Sequence, residues 1–196
     1  MTARAVMRGT VLALALAAVV WGALRPAGQL RIGTPTAERH APPLVLPDDR
    51  GGVFDLATQH GKAVLVTFGY TRCPDVCPTT LAFLQDAISR LGPDAARVCV
   101  VFVTLDPGQD TPSVLKDYLS AFPPEPIGLS GTPEAVANAA RAWGVTWRRT
   151  ENGFIDHSEV VVVVGPDGRE RLRFGFAQLG DAAAVAHDVE SVLHDG

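Results

Sequence analysis

Two cysteines stand four positions apart in "FGYTRCPDVCPTT", residues 68–80, each followed by proline and both directly behind an apolar run. The spacing is one residue longer than the C-x-x-C of dithiol redox centres. Pro78 lacks an N–H and suits the first helical position, which would make Cys77 the N-cap and leave Cys73 in the loop before it. The positive end of a helix stabilises a thiolate, so both sulfurs read as reactive. The spacer Pro74-Asp75-Val76 lets the loop close as a disulfide or as two ligands on one metal. The third cysteine, Cys99, sits between Val98 and Val100 in an apolar strand and reads as a small core hydrophobe.

A soft metal held by two sulfurs calls for a third ligand, which turns attention to the histidines at 40, 60, 157, 187 and 194. His40 falls in a proline-rich stretch, His60 in a loop, and His187 and His194 on the polar side of the last helical pattern. His157, in "GFIDHSEVVVVV", immediately precedes an apolar strand. Asp156 alternates away from it if the segment is extended, which suits a supporting role rather than ligation.

The elements that must position these residues alternate along the chain. "AVLVTFGY" (63–70) and "RVCVVFVTLD" (97–106) read as strands buried on both faces. Between them Leu81, Leu84, Ile88 and Leu91 recur at helical spacing, with Gly92 as the stop. Thr111-Pro112 and Thr132-Pro133 read as N-cap and N1 of two further helices, the second stopped by Gly144. "EVVVVVGPDGRERLRF" is a hairpin turning at Pro166-Asp167-Gly168, and a last helix from about Asp181 buries Val185, Val189 and Val192. Strand, helix, strand, helix, hairpin, helix is the thioredoxin-like order, with one extra helix before the hairpin: an α/β fold with a mixed central sheet flanked by helices. If the strand after His157 runs antiparallel to 63–70, its start lies beside the end of that first strand, and His157 comes next to Cys73 and Cys77.

The chain has 196 residues, 47% of them hydrophobic, and a net charge of −4 with no basic cluster, which sets nucleic-acid binding aside. Arg4 and Arg8 precede the uncharged run "GTVLALALAAVVWGAL" (9–24), so residues 1–25 read as a membrane anchor or signal segment, with an uncleaved anchor expected because Arg25 spoils the exit at Ala27. Residues 26–43 read as an extended linker, "GGVFDLATQHGK" as a short hairpin-like start, and residues 44–196 as the globular domain.

Taken together, "FGYTRCPDVCPTTL", "VVFVTLDPGQDTPSVLKDYLSAF", "IGLSGTPEAV" and "DHS" resemble the SCO/SenC family of copper-binding assembly factors for cytochrome c oxidase. The resemblance spans nearly the whole globular domain. It implies copper ligands at Cys73, Cys77 and His157, and a membrane-anchored domain on the extracytoplasmic, periplasmic side. It also implies a copper-receiving oxidase subunit as partner, with a thioredoxin-like reductant or another copper chaperone as further partners. Two thiolates and an imidazole suit Cu(I), with Cu(II) as a second state, whereas structural Zn(II) usually seeks a fourth protein ligand. Arg72, where the family pattern leads one to expect histidine or a similar residue, and the five valines 160–164, where it leads one to expect an aromatic, are departures that bear on partner recognition.

Three functions fit these residues. The first is a metallochaperone that delivers copper to the dinuclear copper centre of an oxidase, or reduces its cysteines. The second is a thiol-disulfide oxidoreductase using the Cys73/Cys77 pair. The third is a redox or copper sensor, for which the sequence offers no second output domain. His157 discriminates the first two, since dithiol exchange does not need it.

Overall fold

The computed structural model describes residues 30–37 and 39–194; the expected membrane segment lies outside the described residues. A six-stranded sheet forms the centre, in the order β1-β10-β9-β4-β5-β6. Its middle is built from β4 (Ala63–Gly69), β5 (Val98–Thr104) and β9 (Val160–Val164), the three apolar runs of the sequence. β5 lies parallel to β4 on one side, and β6 (Ile127–Leu129) continues the parallel half beyond it. On the other side β9 runs antiparallel to β4, with Val64 opposite Val164 and Thr67 opposite Val161. β10 (Glu170–Gly175) folds back on β9 through a turn in which Gly168 takes φ of 77°.

Helices cover both faces. α1 (Val76–Ser89) packs with α4 (Phe176–Leu179) and α5 (Ala182–His194). α2 (Pro112–Leu119) lies against β6, and α3 (Pro133–Ala142) ends at Trp143, whose ring tilts onto Phe68 of β4 with centroids 6.4 Å apart. The expected Thr-Pro starts are found at both middle helices: Thr111 Oγ1 accepts from the Val114 amide and Thr132 Oγ1 from the Ala135 amide, each satisfying a donor that the first turn leaves open.

Besides β6 and the short helix Phe176–Leu179, which the sequence reading did not name, three features differ from it. α1 begins earlier than expected, so that Asp75 is the N-cap and Cys77 lies inside the first turn with Pro78 after it. Proline is still tolerated there, because first-turn amides have no intrahelical partner. Residues 147–157 form a separate hairpin of β7 (Trp147–Arg149) and β8 (Ile155–His157), to which the sequence reading assigned no element. Finally, much of the stretch read as a linker is docked. β1 (Thr34–Pro35) pairs with β10 at the sheet edge, and the amides of Arg31, Ile32 and Gly33 donate to the carboxylate of Asp188 at 2.6, 3.0 and 2.7 Å. β2 (Val45–Pro47) and β3 (Val53–Asp55) then make a short hairpin that begins earlier than the stretch 51–62 read as hairpin-like; of that stretch only β3 is a strand, and Leu56–Thr58 is a 3-10 turn.

Asp188 is fully buried. Burial raises its pKa, but the three backbone amides and His187 outweigh it, and the carboxyl is held below its ordinary value. A depressed carboxyl contributes stability that is present above the unfolded-state pKa of about 3.9 and is lost as pH falls through the lower folded value. Asp188→Asn should therefore lower stability at pH 7 by about 1.5–3 kcal/mol, the range for hydrogen bonds to a charged group. It should also flatten the acid limb below about pH 4. Urea melts across that range check both, and an unchanged acid limb would mean that the segment is not held by this charge.

Candidate metal and thiol site

The site stands at the C-terminal edge of β4, where the chain leaves the sheet through Tyr70, Thr71 and Arg72 to reach Cys73 and then α1. Cys73 Sγ accepts from the Cys77 amide at 3.4 Å, so the first sulfur caps the turn that carries the second. Asp75, although at the N-cap, makes no side-chain cap bond to a first-turn amide. Cys77 is 4% exposed and Cys73 is only partly buried, which makes Cys73 the sulfur that another molecule can reach. Both are free thiols.

Cys77 fits because residue 69 is glycine. A Cβ at Gly69 would stand 2.8 Å from Cys77 Sγ and 2.8 Å from Phe102 Cε2, closer than carbon and sulfur can approach. Burial pushes the Cys77 thiol well above its ordinary value, and the neighbouring Cys73 adds to the effect despite a hydrogen bond from the Tyr70 backbone. This corrects the expectation of a stabilised thiolate at both positions: for Cys77 desolvation exceeds the help of the helix end. A metal ligated there must displace the proton itself.

His157 reaches the site from β8. Its Nε2 lies 3.5 Å from Cys77 Sγ, its ring meets Tyr70 edge-on with centroids 6.3 Å apart, and its Nδ1 is 3.0 Å from the Ser158 carbonyl oxygen. A carbonyl only accepts, so Nδ1 carries the proton and the lone pair of Nε2 faces the sulfur. That is the tautomer a metal ligand needs, fixed by a backbone group. The cavity behind Cys77 and His157 is about 10 Å³, which leaves no room for a small organic substrate.

The other sequence candidates fall elsewhere. Asp156 points outward to Arg148 at 2.8 Å across the hairpin, in keeping with a supporting role. Cys99 lies towards the far end of β5, packed against the core, and burial raises its thiol. His40 bridges to Arg169, His60 is exposed, and His187 rests on Asp188 at 3.2 Å. His194 joins Asp94 at 2.9 Å, and with Glu190 they form the one trio of possible ligands among the described residues whose donor atoms all lie within 4.8 Å of one another. Asp94 is already engaged by Arg97 at 3.6 Å, so the trio reads as a surface ion-pair cluster. The cysteine–histidine set is more open: its three donor atoms do not all lie within 4.8 Å of one another, so closing it round an ion requires a donor to move.

Two acidic residues of "TLDPGQD" support the site and were not singled out in the sequence. Asp110, fully buried, accepts from the Thr71 amide at 3.0 Å, the Thr71 hydroxyl at 2.6 Å and the Thr104 hydroxyl at 2.5 Å, which fixes the start of the cysteine loop. Asp106 accepts from Arg72 and Arg149, each at 2.6 Å. Their position just past the C-terminal end of β5, beside that of β4, was the available signal.

The family model described as SCO1/SenC matches residues 33–194. A SCO2-like protein of Rickettsia prowazekii is 33% identical over 138 residues, 67% of each chain. Among solved structures, Bradyrhizobium japonicum ScoI with copper bound superposes with a TM-score of 0.71 at 33% identity, covering 79% of this chain and 99% of that one. The apo Sco1 protein of Thermus thermophilus gives a TM-score of 0.75 at 36% identity, covering 83% and 97%.

The contact at Gly69 makes a steric prediction. Gly69→Ala should cost about 1–3 kcal/mol of stability, the usual range for overpacking, and should expose the Cys77 thiol. Urea melts and the rate of thiol alkylation at Cys77 test this, and alkylation at the wild-type rate would show that the sulfur does not depend on the missing Cβ.

Proposed function

The chain belongs to the SCO1/SenC family, and from that membership we propose that it is a copper metallochaperone for the dinuclear copper centre of cytochrome c oxidase, holding Cu(I) with Cys73, Cys77 and His157. The observation that carries this reading is the 3.5 Å approach of His157 Nε2 to Cys77 Sγ, with Nδ1 committed to a backbone carbonyl. Dithiol exchange has no use for an imidazole presented in that tautomer, while a soft low-coordinate cation does. Copper bound in ScoI of Bradyrhizobium japonicum, on the same fold at 33% identity, supports the choice of metal.

Copper here is cargo. The buried Cys77 and His157 offer a fixed pair of donors, and the more accessible Cys73 is the ligand able to swing toward an acceptor and release first. A Cys73–Cys77 disulfide would remove both sulfur donors, so copper transfer is gated by reduction of the pair. The alternative, thiol-disulfide exchange on the oxidase cysteines, is favoured by one feature: Cys73 is reachable and Cys77 is buried behind it, an order suited to attack followed by resolution. In that exchange the two thiols lose two electrons and two protons to the substrate disulfide and become a disulfide, and a thioredoxin-like reductant must restore them. We also place residues 1–25 in the membrane as an anchor, with the domain on the extracytoplasmic side.

His157→Ala separates the two activities. Copper retained per reduced chain and oxidase assembly in cells should fall together, with affinity reduced at least about tenfold. Reduction of a disulfide in a copper-site peptide should continue at the wild-type rate. Assembly that survives the loss of copper would favour the exchange reaction instead, and unchanged copper affinity would remove His157 from the ligand set. Cys99→Ser should leave copper binding intact. Cell fractionation should recover the chain with membranes, and its appearance as a soluble product beginning near Gly28 would refute the anchor.

A further inference from the structure

The hairpin that carries His157 is not part of the central sheet. β7 and β8 form a two-stranded sheet of their own, and an isolated two-stranded hairpin is at best marginal in water. Its aim at the cysteines therefore depends on ties to the body. We propose that Asp106 is a positioning residue for the copper site, a carboxylate that couples the cysteine loop to the histidine hairpin through Arg72 and Arg149. This rests on the reading of Cys73, Cys77 and His157 as the copper-binding set.

The geometry is that of a clamp with one fixed centre. Arg72, the residue before Cys73, donates from Nη2 to one carboxylate oxygen of Asp106, and Arg149 of β7 donates from Nη2 to the other. The Asp106 side chain is 5% exposed, while the two arginines are 54% and 49% exposed. Asp106 is itself held rigidly: its amide donates to Thr104 Oγ1 at 2.9 Å, and its carbonyl accepts from the Gln109 and Asp110 amides at 2.9 Å each. The clamp is thus referred to the end of β5, beside the end of β4.

Each arm acts close to a donor atom. Arg149 pairs across the hairpin with Ile155, two residues from His157, and also donates from Nη1 to the Gly153 carbonyl at 3.2 Å, tying in the hairpin's turn. Surface ion pairs usually contribute little, but here both oxygens of a nearly buried carboxylate are taken, and losing one arm leaves that charge half-compensated. The two guanidiniums hold the Asp106 carboxyl below its ordinary value against the effect of burial, so the clamp stays charged well below neutral pH. Arg72, the residue before the first cysteine, acquires a role in this way: it recruits an arginine on the hairpin through a shared acid.

The test uses the full chain with Arg149→Ala, His157→Ala and the double variant. Arg149 is half-exposed, so its removal spares the core. Two quantities are read: the rate at which a Cu(I) chelator strips copper from the reduced protein, and amide hydrogen exchange over residues 147–157 without metal. Arg149→Ala should speed copper loss by about tenfold, in line with supporting shells of metal sites, and raise exchange across the hairpin. In the His157→Ala background the same substitution should add nothing to the copper rate, because the clamp acts through the imidazole. A wild-type stripping rate in Arg149→Ala, or an equal acceleration with and without His157, would overturn the proposal. If the wild-type chain held no copper, the copper reading would fail by itself; the clamp would then stand or fall on hairpin exchange, and unchanged exchange in Arg149→Ala would refute it.

Discussion

The antiparallel pairing of β9 with β4 is the constraint from which the site follows. Both strands are buried over nearly their whole length, so register is set by packing on two faces, and a slip of one residue would reverse every side chain. With Thr67 opposite Val161, the start of β9 is level with the end of β4. Whatever precedes Val160 must then emerge where the cysteine loop begins. His157 and Cys77 are 80 positions apart in sequence, yet the sheet leaves them as neighbours.

Burial divides the labour between the two sulfurs. Cys77 occupies space created by the missing Cβ of Gly69, against Phe102, and its thiol is held protonated by desolvation. Cys73 sits nearer the surface and caps the helix that carries Cys77. A cation approaching this arrangement meets one accessible sulfur, one lone pair already aimed inward, and one sulfur that ionises only on binding. Ligation at Cys77 would release its proton and so link the affinity for metal to pH, without requiring the free thiol to be reactive.

Much of this was legible in the sequence, for identifiable reasons. Long apolar runs without polar alternation mark strands buried on both faces, and Thr-Pro pairs mark helix starts by a local mechanism that tertiary packing does not override. The cysteine loop announced itself by its prolines, although the helix start lay earlier than Pro78 alone suggested. The β7–β8 hairpin was not legible, because "TWRRTENGFIDH" is polar, short and stabilised by distant partners such as Asp106. Nor was the docking of residues 31–36, a proline- and arginine-containing stretch held by backbone amides on Asp188, which have no sequence signature. Asp106 and Asp110 lie in a loop whose acids read locally as turn formers, and only the fold turns them toward Thr71, Arg72 and Arg149.

The site is rigid on one side and open on another. Cys77, Gly69 and Phe102 pack closely against one another, and Cys73 and His157 are the less buried donors. Neither of these belongs to the central sheet: one stands in a loop, the other in a peripheral hairpin. The strands bring the loop and the hairpin together but do not by themselves fix the distance between these two donors. That distance depends on Ile155 and Trp147 packed on the core and on polar contacts at the sheet's edge, the Asp110 bonds to Thr71 and Thr104 and the Asp106 pairs with Arg72 and Arg149. The two arginines that make the second of these ties are half-exposed, so the open side of the site is held at the surface and not within the packed core.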